Sequence, residues 1–404
     1  MAELLNELKN GRRAFTMIGE VKIGEDTFGG AKQPTKPGSD WVSVDTAIPI
    51  EITEGVTLFP RIKDGFSSKN PKISRQAANF TDPRVELSYK DRLNEAFIEK
   101  ISYNELYHAM VEKDENGKPI QKSFIHGIDF ESYLKAHLKN GMNVRITGEV
   151  NYSYDKDRQK VYRNYKLKAV RLNEGYKKNG EDIPPAPASA TINQTLLLEA
   201  GALNSRWEKE LESTGKTAVN VHVADYVSSV WVDNSWAKLG KTAAFPQQVF
   251  LTADPTDEKS LSRSKVLANR LFNVPKRKIR ELNAIVQINE GSETTSANIE
   301  IDKDLQELID LGYMSEEDVV KQVTVRGNRV SELLFVKPQV RLTDEGSTVI
   351  DMNDDKYALD VLLFPQIEAQ KEVVSKKSEA PALEADPLTE MSDETFDSLF
   401  AEML

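Results

Sequence analysis

Between Asp129 and Leu172 the spacing of hydrophobic and polar residues changes once, which predicts a helix followed by a β-hairpin. Apolar residues first recur with helical spacing, at Phe130, Tyr133, Leu134 and Leu138. Asp129 is a suitable N-terminal cap, and Asn140-Gly141 is a typical C-terminal stop. From Val144 to Leu172 apolar and polar residues alternate instead, on both sides of a charged turn at residues 155–158. Such alternation predicts two antiparallel strands.

Strand-like segments before this helix predict the rest of a barrel. Residues 15–23, 41–52 and 56–62 are the predicted strands, and apolar and polar residues alternate in 41–52. Gly19, in the first of them, permits the sharp bend that a barrel strand needs. Three strands, a helix and two further strands follow the order of an oligonucleotide/oligosaccharide-binding (OB) barrel. We therefore expect an OB barrel over residues 1–180.

A long insertion separates the third predicted strand from the helix. It covers residues 63–128, mixes basic with aromatic residues, and is predicted to be helical over residues 91–111. Loops of this length inside a compact domain are usually functional or locally ordered. The insertion would therefore either add to a binding surface or form an ordinary solvated one.

The second half of the chain repeats this order more loosely. Residues 181–193 are rich in Pro and Ala and predict a linker. Strand-like segments beyond it, with helical segments at 302–311 and 315–321, predict a second OB-like domain over residues 194–366. The expected fold class is mainly β with short helices, arranged as tandem OB-like barrels. Residues 367–404 are predicted to be a disordered acidic tail.

The charge is unevenly distributed. The chain has 53 Lys and Arg against 64 Asp and Glu, a net charge of −11. Nevertheless the first 180 residues have an excess of Lys and Arg, whereas the segment from Ser378 onward has acids and no Lys or Arg. The average therefore hides a mildly basic first domain, and the net charge does not exclude a polyanionic partner.

Other features of the composition narrow the class of protein. The chain has no cysteine, which excludes disulfides, thiolate nucleophiles and cysteine-ligated zinc. It has no long apolar run and no signal-peptide pattern. We expect a soluble cytoplasmic protein that does not associate with membranes.

The helix and hairpin resemble a known family. The matching residues are Tyr133-Leu134, Lys139-Asn140-Gly141, the run from Val144 to Val150, and the strand end Val170-Arg171-Leu172. They resemble the C-terminal half of bacterial and phage single-stranded-DNA-binding (SSB) proteins. The resemblance implies a protein of the phage replication type, which coats and protects single-stranded DNA in replication, recombination and repair within the host cytoplasm. It does not separate DNA from RNA, because stacking and phosphate contacts serve both.

Candidate binding residues follow from how single strands are held. Cations contact the phosphates, and aromatic faces stack on unpaired bases. In the first domain the candidates are Trp41, Phe59, Arg61, Arg158, Lys160, Tyr162, Arg163, Lys166 and Lys168. A denser basic cluster in the second domain is either a second DNA contact or the solvated face of a helix, and it contains Lys276, Arg277, Lys278 and Arg280.

The C-terminal tip is acidic and amphipathic. Its apolar residues have helical spacing, at Phe396, Leu399, Phe400, Met403 and Leu404. SSB proteins end in an acidic segment that recruits replication and repair enzymes and competes with DNA for the basic groove. The resemblance therefore implies partner binding by Asp393, Glu394, Phe396, Asp397, Leu399 and Phe400. The bacterial pattern ends in an acidic run followed by Pro-Phe, which this tip lacks, so the identity of its partner stays open.

No catalytic constellation is evident in the sequence. The four histidines lack metal-ligand spacing, and there is no phosphate-binding glycine loop. We therefore expect no enzymatic activity, no cofactor and no metal ion. Two alternatives to DNA coating remain: an OB-scaffold phage accessory factor that binds a polymerase or another protein instead of DNA, and a nuclease or other DNA-processing enzyme. The oligomeric state also stays open, and a homo-oligomer is compatible with the sequence.

Overall fold

The computed structural model of the 404-residue chain describes residues 4–34, 38–155, 160–178, 181–232, 235–294, 306, 309–310 and 326–363. Within these ranges no helix is long and apolar enough to cross a membrane.

The first half of the chain is built mainly of strands. They are β1 (Arg13–Val21), β2 (Trp41–Ala47), β3 (Ile50–Thr53), β4 (Val56–Leu58), β5 (Arg61–Ser67), β6 (Lys72–Arg75), β7 (Val85–Ser88), β8 (Tyr107–Lys113), β9 (Pro119–Phe124), β10 (Asn143–Asp155), β11 (Lys160–Leu172), β12 (Tyr176–Lys178) and β13 (Glu181–Ile183). The helices are α1 (Glu95–Ile98) and α2 (Gly127–His137), with 3-10 turns at Tyr89–Leu93 and Tyr103–Glu105.

The strand pairings of this half close a barrel. Strand β1 pairs with β10 and β3, and β10 pairs with β11. Strand β11 runs parallel to β5, which pairs with β2, while β3 pairs with β4. Because β2 with β3 and β4 with β5 each act as one bent strand, the ring has the order 1-2-3-5-4 of an OB barrel. The predicted first barrel is confirmed, including its hairpin.

Close approach explains the glycine in the first strand. A β-carbon at Gly19 would lie 2.1 Å from the carbonyl oxygen of Glu51 on β3. Any larger residue would therefore separate β1 from β3 at the point where the ring closes. The predicted role of Gly19 as the bend of the strand stays a prediction.

Helix α2 covers one end of the barrel, as the sequence predicted, but its cap differs. His126 is the N-cap, and its Nδ1 accepts a hydrogen bond from the backbone N–H of Ile128 at 3.2 Å. Asp129, the predicted cap, lies in the first turn and forms an ion pair with Arg92 of the insertion at 2.8 Å. Phe130 and Leu134 are fully buried against the barrel core. The amphipathic pattern located the helix correctly, and the cap prediction was wrong by one turn.

The insertion does not contain the long helix predicted for residues 91–111. Only α1 and two 3-10 turns are helical there, and residues 107–113 form β8. Strand β8 pairs with β9 on one side and runs parallel to β11 on the other. This pairing with the barrel supplies backbone hydrogen bonds on both sides, and it overrides the local helical pattern. The insertion therefore extends the sheet of the barrel.

The second half contains strands and helices in a similar order. The strands are β14 (Ser189–Leu198), β15 (Lys216–Val232), β16 (Ser235–Thr252), β17 (Arg280–Thr294), β18 (Arg326–Pro338), β19 (Val340–Leu342), β20 (Thr348–Ile350) and β21 (Met352–Asn353). The helices are α3 (Trp207–Thr214) and α4 (Glu258–Leu271), with a 3-10 turn at Leu359–Leu362.

These strands form a second ring of the same order. Strand β14 pairs with β15 and β17, β15 neighbours β16, β16 runs parallel to β18, and β18 pairs with β17. Helix α4 stands between the third and fourth strands, as α2 does in the first ring. The mainly β fold class with OB-like barrels is confirmed.

The helix of this second ring was not predicted. The sequence pointed to residues 302–311 and 315–321, which lie largely outside the described residues. In α4 only Ala268 and Leu271 are fully buried, so the apolar stripe is short and the pattern is weak. Residues 333–342 are divided between β18 and β19.

The two rings are joined through their first strands. Strand β1 pairs antiparallel with β14, with Phe15 opposite Ile192 and Met17 opposite Ala190. Residues 189–193, predicted as part of a linker, thus belong to a strand inside a continuous sheet. The division into domains at 1–180 and 194–366 stays a prediction.

Contacts divide the chain into two units. The first, Met1–Ser229 with Lys238–Gln366, contains the strand pairs that join the two rings. The second is Val230–Ala237 with Ile367–Leu404, and within it only parts of β15 and β16 are described. The predicted acidic tail, with all of its candidate residues, lies outside the described residues.

Candidate nucleic-acid interface

The outer face of β2, β5 and β11 is the surface that fits the sequence prediction. On β2, Val42 and Val44 point into the core and are buried, so the alternating residues Trp41, Ser43 and Asp45 point outward. On β5, Ile62 is buried and Arg61 and Lys63 are directed to the same outer face. We call the outward side of these three strands the β2–β5–β11 face.

The indole of Trp41 packs closely against Gly65 on the neighbouring strand β5. A β-carbon at Gly65 of β5 would be 2.5 Å from the indole Nε1 of Trp41 and 2.7 Å from the carbonyl oxygen of Val42. The Trp41 residue nevertheless remains 53% exposed. An exposed aromatic ring held against a sheet surface is a platform on which an unpaired base can stack.

Cations lie further along the same face. Arg61 on β5 is in register with Lys166 on β11, and Lys63 is two residues from Gly65. Arg61 is already compensated, because its Nε donates to Asp45 at 2.7 Å. Lys63 and Lys166 form no ion pair with any carboxylate among the described residues. Their charge is therefore available to a polyanion.

Lys168 is a cation of a different kind. Its ammonium lies 4.7 Å from the centre of the Tyr107 ring and donates to the carbonyl oxygen of Glu105 at 3.4 Å. Burial lowers the pKa of Lys168 to about 8, and the nearby charge of Lys166 acts in the same direction. The charge on this side chain therefore changes within an accessible pH range.

A second exposed ring, which the sequence did not single out, stands beyond Lys168. Tyr103 of the insertion is 61% exposed and stacks on His108 of β8, with ring centres 3.8 Å apart. His108 is in register with Ala169 on β11, next to Lys168. Tyr103 thus extends the β2–β5–β11 face into the insertion. The signal available in the sequence was an aromatic residue within the basic insertion, but its position depends on the pairing of β8 with β11.

Two further candidates are Phe59, between β4 and β5, and Tyr162 on β11. Phe59 and Tyr162 are both half-buried, and Tyr162 lies on the same side of β11 as the outward Lys166. Arg158 lies outside the described residues, as does the side chain of Lys160.

Arg163 is not on the β2–β5–β11 face. It donates to Glu290 of β17 at 2.8 Å and to Ser331 of β18 at 2.6 Å, and its side chain is 9% exposed. The hydroxyl of Tyr165 donates to the same Glu290 oxygen at 2.8 Å. Arg163 therefore joins the first ring to the second, which corrects its assignment to DNA contact.

The basic cluster of the second half also separates into two groups. Lys276 and Arg277 are exposed, and Lys278 pairs with Asp355 at 2.7 Å. Arg280, in contrast, is 6% exposed. It binds Asp354 with two nitrogens at 2.6 Å and donates to the carbonyl oxygens of residues 270, 271 and 273 at the end of α4. Arg280 is thus a helix cap and is removed from the candidate contacts.

A buried polar cluster lies beneath the β2–β5–β11 face, at the start of α2. Asp64 accepts hydrogen bonds from Arg75 at 2.7 Å and from the backbone N–H of Gly127 at 2.9 Å. Burial alone would raise the pKa of Asp64. Arg75 and the backbone N–H groups of Gly127 and Gly65 stabilise the carboxylate and hold its pKa below the usual value.

His126 belongs to the same cluster. It is fully buried, its Nε2 has no hydrogen-bond partner, and that atom lies 3.7 Å from an Asp64 oxygen. Burial lowers the pKa of His126 even though Asp64 acts in the opposite direction. The cluster links β5 to the insertion through the Asp64–Arg75 ion pair and the buried imidazole of His126. In the described part of the chain, no group of three or more His, Asp or Glu residues is arranged to hold a metal ion.

Comparisons with known proteins complete the description. The chain is similar in structure to a deletion mutant of the single-stranded DNA binding protein from Thermus aquaticus, with a TM-score of 0.27, 9% sequence identity, and coverage of 83% of this chain and 98% of that chain. For the wild-type protein of the same organism the TM-score is 0.24 and the identity 9%, with 70% and 87% covered. No protein-family model and no curated protein sequence matches the chain. The support for a function therefore comes from the geometry of the β2–β5–β11 face.

Proposed function

We propose that this protein binds single-stranded DNA along the β2–β5–β11 face, with little sequence preference, and protects it during replication and recombination in the cytoplasm. The observation that carries the proposal is the exposed indole of Trp41, seated over Gly65 on the same face as two lysines without carboxylate partners among the described residues. Stacking on a ring is tolerant of sequence, because every base has an aromatic face. Lys63 and Lys166 supply the phosphate contacts.

The path of the strand follows from the order of these groups. Trp41 on β2 is one end, Lys63 and Arg61 on β5 and Lys166 and Lys168 on β11 form the middle, and Tyr103 is the other end. A strand that crosses the three β-strands would thus meet an aromatic ring at each end and cations between them.

We also propose that the acidic tail recruits partner proteins. Asp393, Glu394 and Asp397 imitate phosphates, and Phe396, Leu399 and Phe400 supply an apolar stripe. The same acids would compete with DNA for the lysines of the β2–β5–β11 face, because both are polyanions.

The decisive experiment measures binding of fluorescein-labelled oligo-dT by anisotropy, at several salt concentrations. Wild-type binding is expected to weaken with salt, and Lys63→Ala and Lys166→Ala should each flatten the slope of log K against log salt by about 0.7. Lys259→Ala, at an exposed position at the start of α4, is the matched control and should leave the slope unchanged. Equal affinity for single and double strands would disprove the proposal, and so would wild-type slopes in both lysine variants.

Two further measurements test the preference for DNA over RNA and the competition between the tail and DNA. Oligo-U in place of oligo-dT reports whether a 2′-hydroxyl is tolerated. The full chain with Asp393→Asn, Glu394→Gln and Asp397→Asn should bind oligo-dT more tightly at low salt if the tail competes. Unchanged affinity in that variant would remove the competition while leaving the binding face intact.

A further inference from the structure

A groove on the second ring, away from the β2–β5–β11 face, lies between α4 and the hairpin β19–β20. Its cavity has a volume of about 400 Å³ and is lined by Arg263, Val266, Leu267, Arg270, Pro338 and Ile350. The four residues from α4 occur at i, i+3, i+4 and i+7, so they share one side of the helix. Pro338 and Ile350 supply the opposite wall.

The groove continues into exposed apolar surface. Val266 on α4 is 66% exposed, and Val340 and Leu342 on β19 are 63% and 70% exposed. Val340 pairs with Ile350 across the hairpin, so Val340, Leu342 and Ile350 share one face. Apolar side chains clustered at the surface in this way mark sites that another molecule covers.

The rim of the groove is positively charged. Arg263 and Arg270 are exposed on either side of Val266, and neither forms an ion pair with a carboxylate among the described residues. Arg280, close in sequence, binds Asp354 instead and does not contribute. The groove therefore combines an aliphatic floor with two uncompensated guanidinium groups.

We propose that this groove binds an acidic amphipathic helix of a partner protein. The aliphatic floor accepts an apolar stripe, and the two arginines accept carboxylates at its margins, which is the helix-in-groove mode of peptide recognition. A nucleic acid fits less well, because the groove residues named above include no aromatic ring on which a base would stack. The site is separate from the β2–β5–β11 face, so this inference does not depend on DNA binding.

The probe is a fluorescein-labelled synthetic peptide with the sequence of residues 391–404, which has acidic residues and an apolar stripe at helical spacing. The protein is the full chain with Phe396→Ala and Phe400→Ala, so that its own C-terminal segment does not compete with the peptide. Anisotropy is measured in this background and again after Val266→Asp or the double change Arg263→Glu and Arg270→Glu.

The proposal expects saturable binding of the peptide, weakened at least tenfold by Val266→Asp and by the double arginine change. A peptide in which Asp393, Glu394 and Asp397 are replaced by Lys should bind the arginine-reversed protein better than the wild-type peptide does. Lys259→Glu, also on α4 but outside the groove, is the control and should retain binding. Circular dichroism of each variant confirms that the fold is retained.

Three results would overturn the proposal. They are no saturable binding of the peptide, equal binding in all the variants, and a loss of oligo-dT affinity without a loss of peptide affinity after the arginine reversal. The last result would identify the groove as a nucleic-acid surface. The DNA proposal has its own readout in the Lys63 and Lys166 variants, so failure of one does not decide the other.

Discussion

The indole of Trp41 on β2 occupies the space above Gly65 on β5, where a β-carbon would lie 2.5 Å from the indole Nε1. Trp41 pairs with Ser67 and Gly65 with Ser43, so the indole reaches Gly65 diagonally across the two strands. The glycine keeps the ring close to the sheet, and 53% of the tryptophan residue is still exposed. This relationship connects backbone packing in the barrel with the surface proposed to bind bases.

Substitution of Gly65 should move the ring. In Gly65→Ala the new methyl group meets the indole and the carbonyl oxygen of Val42, so we expect a changed tryptophan emission and weaker oligo-dT binding. Trp41→Ala should weaken binding by roughly 5- to 150-fold, the equivalent of about 1–3 kcal/mol for one lost stack. Gly24→Ala, where nothing lies within 4 Å of the new β-carbon, is the control. Unchanged affinity in Trp41→Ala would contradict the stacking role.

Binding should also depend on pH through Lys168. Its pKa is about 8, lowered by burial, so the free protein loses this charge as the pH rises from 7 to 9. A polyanion binds the protonated form better, hence oligo-dT affinity should fall across that range. Lys168→Arg stays protonated and should give a flatter profile. Identical profiles for wild type and Lys168→Arg, measured at constant ionic strength, would show that Lys168 does not contact the strand.

Stability should fall on mild acidification because of His126. Burial keeps the folded pKa of this histidine below its unfolded value, so the unfolded chain takes up a proton that the folded chain does not. The free energy of unfolding is therefore expected to fall as the pH drops below about 6.5. Burial also lowers the pKa values of His108 and His222, so these two histidines add to the dependence of stability on pH. Urea unfolding from pH 7.5 to 5.5 measures the slope.

Two measurements assign the part of this slope that belongs to His126. In the wild-type protein the imidazole resonance of His126 should titrate at a lower pH than a free histidine. His126→Gln should reduce the pH slope of stability without abolishing it, since His108 and His222 remain. A normal titration of His126 would refute the assignment even if the variant failed to fold.

The ion pair of Arg163 with Glu290 should hold the two rings together. Because the Arg163 side chain is 9% exposed, Arg163→Met leaves a carboxylate and the Tyr165 hydroxyl with altered partners. Removal of one member of such a pair is expected to cost about 3–5 kcal/mol when fully buried, and less here because Glu290 is 21% exposed. Arg171→Met, at an exposed position on the same strand, should change stability by less than about 0.5 kcal/mol. The double change with Glu290→Gln should cost less than the sum of the single changes, and strict additivity would contradict the coupling.

In the basic cluster after α4, Arg280 is assigned to capping the helix, whereas Lys276 and Arg277 are candidate DNA contacts. Arg280→Met should destabilise the protein by roughly 2–4 kcal/mol, because it breaks a buried pair and uncaps the helix, while oligo-dT affinity of the folded protein stays the same. If Lys276 and Arg277 form a second DNA contact, their joint change to Ala should lower affinity and leave thermal stability unchanged. The opposite pattern would reverse the two assignments.

The parts of the fold that the sequence predicted correctly are those with local periodicity. Helix α2 repeats its apolar residues every three or four positions, and apolar and polar residues alternate along β10 and β11, so neighbouring residues already specify these elements. In the same way, Trp41 and Lys166 were recognisable as exposed candidates, because each alternates with buried residues in its own strand.

The tertiary structure decided everything that depends on residues far apart in the chain. Strand β8 is a strand because it pairs with β11, some 60 positions later, and not because of its own sequence pattern. Arg163 meets Glu290 and Arg280 meets Asp354 only after the chain has folded. For this reason both arginines were predicted as DNA contacts from the sequence, although each forms an internal ion pair. The Trp41–Gly65 platform likewise needs the register of β2 against β5. Local propensity therefore specified single elements, whereas long-range pairing and burial decided which charges remain available to a ligand.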